Sequence, residues 1–78
     1  MTKQRTFAIV LVRQENGTFA VQVPALPEVN TQGKDRSRAL ERAAEAIELA
    51  LEQRIAEGEE IPPDGAAELR NVTVEAAA

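Results

Sequence analysis

The chain contains no cysteine and no histidine, and Phe7 and Phe19 are its only aromatic residues. Without cysteine there is neither a disulfide framework nor a thiolate metal site. Without histidine the commonest general base and the commonest imidazole ligand are both missing. Only carboxylates, amines and hydroxyls remain for chemistry. No catalytic residue and no metal ligand is therefore assigned, no cofactor is expected, and the chain is read as a non-enzyme. Long apolar stretches are missing too, the longest running from Phe7 to Val12. So short a run cannot cross a bilayer, and no small-residue cleavage site follows it. Neither a membrane helix nor a secretory signal is expected, which places the protein in the cytoplasm. The triplets Asn16-Gly17-Thr18 and Asn71-Val72-Thr73 match a glycosylation pattern, but without an export signal they are chance matches.

Positive charge is also in short supply. Nine lysines and arginines stand against thirteen acidic residues, for a net charge of -4 and a pI near 4.8. Such a field opposes a nucleic-acid backbone and attracts a basic protein. The 78 residues make one domain, 1–78, with its core over about 5–75. A chain of this size buries only roughly 60% of its unfolded surface, so the core must be simple.

Residues 6–13 form an apolar, β-branched run, and residues 18–23 alternate, with Phe19, Val21 and Val23 set against Thr18, Ala20 and Gln22. Between them Glu15-Asn16-Gly17 signals a hairpin, because Asn and Gly tolerate the positive φ that the turn needs. Two registers are open. A three-residue loop puts Phe7, Ile9 and Leu11 on the face of Phe19, Val21 and Val23, whereas a two-residue loop puts Ala8, Val10 and Val12 there. The first gathers both aromatics and the largest aliphatics into one core and is preferred. Pro24 and Pro27 end the second strand, and a short third strand follows around Val29–Gln32, before Gly33. Asp35 is a candidate N-cap for a helix from Arg36 to Glu57, and Gly58 is a natural residue just beyond its end. Helical spacing puts Leu40, Ala44, Ile47, Leu51 and Ile55 on one stripe, the expected core face, with Glu41, Glu45, Glu48 and Glu52 together beside it. A flexible linker over 59–69, a last strand over Arg70–Glu75 and a frayed tail over 76–78 complete the chain.

Three strands, a helix and a strand leave few arrangements. If the helix crosses over with the usual right hand, the last strand pairs parallel to the first and gives a mixed sheet of order 3-2-1-4. That is an α+β fold, β-β-β-α-β, with one helix on one face. It makes the first strand central, in keeping with its two apolar faces.

The order of motifs resembles the HicB-like antitoxin domain over roughly residues 7–63, with a matching last strand. The matching positions are Phe7 and Gly17, then Val23-Pro24-Ala25-Leu26-Pro27 and Thr31-Gln32-Gly33. Ala39-Leu40, Ala46-Ile47-Glu48 and Gly58 through Pro62 continue the series. Ala25 stands where the family usually has Asp, Glu28 where it has Gly, and Lys34-Asp35 where it has Asp-Ser or Asp-Thr. The resemblance implies a partial RNase H-like fold. It also implies an antitoxin that neutralises a small RNA-cleaving toxin of the HicA type by protein–protein contact. Many such proteins carry a C-terminal DNA-binding domain. The chain stops short of one, so no direct DNA contact by this chain is expected. The alternative is an orphan domain of the same kind, serving as an oligomeric scaffold or binding another partner.

An RNase H-like nuclease needs several carboxylates holding two metal ions about 4 Å apart, one of them in the first strand. Residues 5–14 hold no acidic residue, and a turn and an N-cap account for Glu15 and Asp35. Lys34, Arg36, Arg38 and Arg42 admit an anion site at the helix start, or else solvated charge paired at i, i+3 with no aromatic nearby to stack a base. The ridge of Glu41, Glu45, Glu48 and Glu52 is either a solvated face or the contact for a basic partner. With the Pro24, Leu26 and Pro27 loop, it forms the candidate partner surface. A single helix covers one sheet face, which in the preferred register leaves Ala8, Val10, Val12 and Ala20 as a candidate interface. A homodimer or higher even oligomer is expected from it.

Overall fold

The first element along the chain is a hairpin. In a computed structural model that describes residues 4–63 and 70–77, β1 (Val10–Arg13) and β2 (Phe19–Gln22) pair antiparallel, Leu11 opposite Val21 and Arg13 opposite Phe19. The Gln14 N–H donates to the Thr18 carbonyl at 2.8 Å, and the Gly17 N–H to the Gln14 carbonyl at 3.0 Å. This closes the three-residue loop, with Gly17 at φ +86° and the Asn16 side chain accepting from the Thr18 N–H. Leu11, Val21 and Phe19 therefore share a face, and Phe7 and Ile9 pack against the same core. The ladder is shorter than the apolar run. Continued, the register would set Ile9 against Val23 and then Ala8 against Pro24, which has no N–H to give.

After β2 the proline segment folds into two successive turns. The Leu26 N–H donates to the Val23 carbonyl and the Val29 N–H to the Leu26 carbonyl, both at 2.9 Å. The turns bring Val23, Leu26 and Val29 into the core, Leu26 with no exposed surface at all. Then β3 (Asn30–Gly33) runs antiparallel to β2, Val21 opposite Thr31 and Phe19 opposite Gly33.

The helix α1 (Arg36–Ala56) starts where Asp35 accepts the Arg38 N–H at 2.8 Å. It ends in a Schellman motif. Gly58, at φ +75°, donates to Ile55, and Glu59 donates to Arg54. Both ends thus follow from local chemistry.

The face that α1 turns to the sheet differs from the expected stripe. The buried helical residues are Ala39, Ala43 and Ala50, with Ile47 and Leu51 half-buried, whereas Leu40 is 48% and Ile55 63% exposed and Ala44 is exposed as well. Relative to the Leu40–Ile55 stripe the buried face is turned by about 100°. The cause is close approach: a Cβ on Gly33 would lie 2.6 Å from the Ala39 Cα. Where helix and strand come this near, only alanine fits between them, and the larger aliphatics move to the flank.

The sheet order is β1-β2-β3. The expected fourth strand over Arg70–Glu75 is not formed, and Val72 and Val74 are 82% and 78% exposed. Val72 and Val74 are the only large apolar side chains it could bury against the entropy of ordering six residues. The segment has too little apolar surface to hold itself on the sheet. Among the described residues β1 is therefore an edge strand, not a central one. Of the expected linker 59–69, residues 64–69 lie outside the described residues, as does Ala78 of the expected tail.

Candidate functional site

Glu41, Glu45, Glu48 and Glu52 are all exposed on α1 and fall within an arc of about 60°. Only Glu41 has an ion-pair partner among the described residues, Arg38 at 3.4 Å, with both side chains more than half exposed. The ridge is thus a nearly continuous line of carboxylates held by a rigid element.

The proline loop does not join it. Pro24 and Pro27 are exposed, but Leu26 is wholly inside and anchors the loop; it presents no surface. Next along, Glu28 forms a bidentate pair with Arg54 of α1, at 2.6 and 2.7 Å. The Arg54 guanidinium holds the Glu28 carboxyl down to about 2, from an ordinary 4.5, and the local backbone N–H adds to the effect. Arg54 sits about 150° around the helix from the glutamate ridge, so loop and ridge occupy opposite flanks. Glu28 and Arg54 are 26 positions apart, and nothing in their neighbours hints at the pairing.

On the far sheet face, Val12 sits opposite Ala20 and is 43% exposed, Val10 and Ala20 are half-buried, and Ala8 is exposed. The register brings this apolar strip together, and no helix covers it among the described residues.

The basic group near the helix start is arranged differently from expectation. The Arg36 guanidinium lies 5.3 Å from the centre of the Phe19 ring. An aromatic is therefore close by after all, brought there by the sheet and capped by this arginine. Among the described residues no group of three or more His, Cys, Asp or Glu is placed to hold a metal ion. Asp35 is engaged as the N-cap and β1 carries no carboxylate. No helix among the described residues is long and apolar enough to cross a membrane.

A three-stranded antiparallel sheet carrying one capped helix, with Glu41, Glu45, Glu48 and Glu52 lined up on that helix, defines a small α+β domain. Residues 6–77 match the family model described as the HicB_like antitoxin of bacterial toxin-antitoxin systems. A UPF0150 protein of Archaeoglobus fulgidus is 50% identical over 46 residues, 59% of this chain and 67% of that one. A UPF0150 protein of Thermoplasma acidophilum is 38% identical over 63 residues, 81% of this chain and 91% of that one. Antitoxin HicB 1 of Photorhabdus laumondii is 36% identical over 63 residues, again 81% of this chain but only 41% of the longer relative. The chain belongs to the HicB-like antitoxin family.

Proposed function

We propose that this protein is an antitoxin that neutralises a small, basic, RNA-cleaving toxin of the HicA type by covering its working surface. The family match over 6–77 carries the reading. The charge distribution supports it. A protein that binds RNA is basic, and the four aligned glutamates of α1 present the complementary sign. On this reading the protein works in the cytoplasm, catalyses nothing itself, and represents part of an RNase H-like fold. It associates with itself through Ala8, Val10, Val12 and Ala20.

A second reading is favoured by one observation. The Thermoplasma relative is matched over 91% of its own length and bears no antitoxin name. A relative composed of little more than this domain supports the alternative of an oligomeric scaffold with another partner. One experiment separates the two. The protein is co-expressed with the product of the adjacent reading frame, and growth and co-purification are followed. Antitoxin action requires that the neighbour alone arrest growth and that the pair purify as a complex. A neighbour that is harmless and fails to co-purify overturns the antitoxin reading.

A further inference from the structure

Beside the buried alanine face of α1 runs an open groove of about 890 Å³, walled on its other side by Gln4–Phe7. Phe7, Ala44, Ile47, Leu51, Ile55 and Ile61 supply its apolar surface, and Glu48 stands at its edge. From Ala44 to Ile55 it follows the helix for about 16 Å, the reach of a three-turn helix or of about five extended residues. The aliphatics that the sheet does not take collect here, and Ile55 remains 63% exposed. Glu41, Glu45, Glu48 and Glu52 follow the same flank on its solvent side, while Arg5 stands on the opposite wall.

The charges decide between occupants. A second copy laid helix to helix along the groove would set Glu48 against its own counterpart and bring two acidic rows together. Arg38 is paired with Glu41 of its own ridge and Arg42 lies further round the helix, which leaves Glu45, Glu48 and Glu52 facing their counterparts. An anionic membrane surface meets the same repulsion. A small polar ligand would need a buried polar side chain to orient it, and no polar or charged residue is buried among the described residues. What fits is a segment with an apolar side to fill the groove and cations to meet the ridge.

We propose that the groove between Gln4–Phe7 and the Ala44–Ile55 flank of α1 is the docking site for a basic, amphipathic segment of a partner protein. The inference rests on the antitoxin reading for the partner's being a separate protein and gives that contact a definite place. Apolar insertion holds the segment, and the glutamate ridge sets its direction and its rate of arrival.

The test titrates the isotope-labelled full chain with three synthetic helix-forming peptides of about four turns, built from leucine and lysine, leucine and glutamate, or serine and lysine. Only the leucine–lysine peptide is expected to shift the amides of Thr6, Phe7 and Ala44–Ile55. Ile55→Lys, at an exposed position, should weaken it by about tenfold or more without altering the far-ultraviolet spectrum. Glu48→Gln with Glu52→Gln should weaken it less and flatten its salt dependence. Equal binding of the serine–lysine peptide, shifts centred on Val10 and Val12, or no binding of the leucine–lysine peptide would each overturn the proposal. Failure of the adjacent gene product to co-purify removes the antitoxin reading and leaves peptide binding in the groove standing. A toxin that binds Ile55→Lys as tightly as the wild type, with no peptide shift in the groove, overturns the groove alone.

Discussion

Replacing Gly33 with alanine puts a methyl group where α1 already sits. The added carbon would lie 2.6 Å from the Ala39 Cα and 2.7 Å from the Arg38 carbonyl carbon, whereas carbons rest about 3.5–4.0 Å apart. Relief requires α1 to move off β3 by about 1 Å, and a gap of that size forfeits up to about half of each dispersion contact it opens. Overpacking against mobile side chains costs about 1–3 kcal/mol. Here the obstacle is helix backbone, so Gly33→Ala is expected at the top of that range, about 3 kcal/mol. For a domain whose whole stability is roughly 4–12 kcal/mol, that is a fall in midpoint of about 12–24 °C. Gly58→Ala is the control. It has a positive φ of 75° and nothing within 4 Å of the new Cβ, so only backbone strain of about 1–2 kcal/mol applies. Adding Ala39→Gly to Gly33→Ala should rescue nothing, because the obstructing nitrogen and Cα remain. Thermal and urea unfolding of α1 followed by circular dichroism measures all three. If Gly33→Ala costs no more than Gly58→Ala, the close approach is not what selects the alanine face.

Leu26→Ala should lower the urea midpoint by the equivalent of about 2–5 kcal/mol, while Pro27→Ala on the same loop changes little. A loss for Leu26→Ala as small as that for Pro27→Ala would show that the loop is not part of the core. Because its folded pKa is depressed, Glu28 contributes stability that is complete above pH 4.5 and is lost as the pH falls toward 2. The melting difference between wild type and Glu28→Gln should therefore be constant from pH 7 to about 5 and vanish near pH 2, with a small amplitude because the pair is half-exposed. A difference that persists undiminished at pH 2 refutes the assignment. Light scattering at micromolar concentration should show an even oligomer that Val12→Lys converts to monomer, and a monomeric wild type would end that proposal. Glu45→Gln with Glu48→Gln should leave the thermal midpoint unchanged and slow toxin association, with a shallower salt dependence in stopped-flow kinetics. Identical rates at low and moderate salt would make the ridge a merely solvated face.

Much of the backbone plan is legible because it is written locally. Asn16-Gly17 names the hairpin, Asp35 and Gly58 mark the helix ends, and grouping the large apolar residues selects the register that forms. The helix face is less legible, because spacing rewards bulk. Leu40, Ile47, Leu51 and Ile55 outweigh alanines on any hydropathy count, but Gly33 lets the backbone come so near that alanines are what fit. Gly33 itself reads as a turn residue, and only the packing shows it as a seat for Ala39. The fourth strand has the right alternation at Val72 and Val74 and too little of it. Of the candidate surfaces, the glutamate ridge and the Val12–Ala20 strip follow from periodicity alone. The Glu28–Arg54 pair and the Arg36–Phe19 stack join distant parts of the chain, and no local pattern announces either.

The two turns that carry Leu26 inward also determine how far the sheet can reach. By bending away after Gln22, β2 leaves residues 4–9 without a neighbour to pair with on that side, and the chain before β1 runs on past the sheet like a floorboard past its last joist. That overhang is the second wall of the cleft beside α1. A proline bend that looks like simple strand punctuation therefore borders a recess on the same helix-covered face of the sheet as its own loop's anchor, and a lineage that straightened the bend would gain a longer sheet and narrow the cleft.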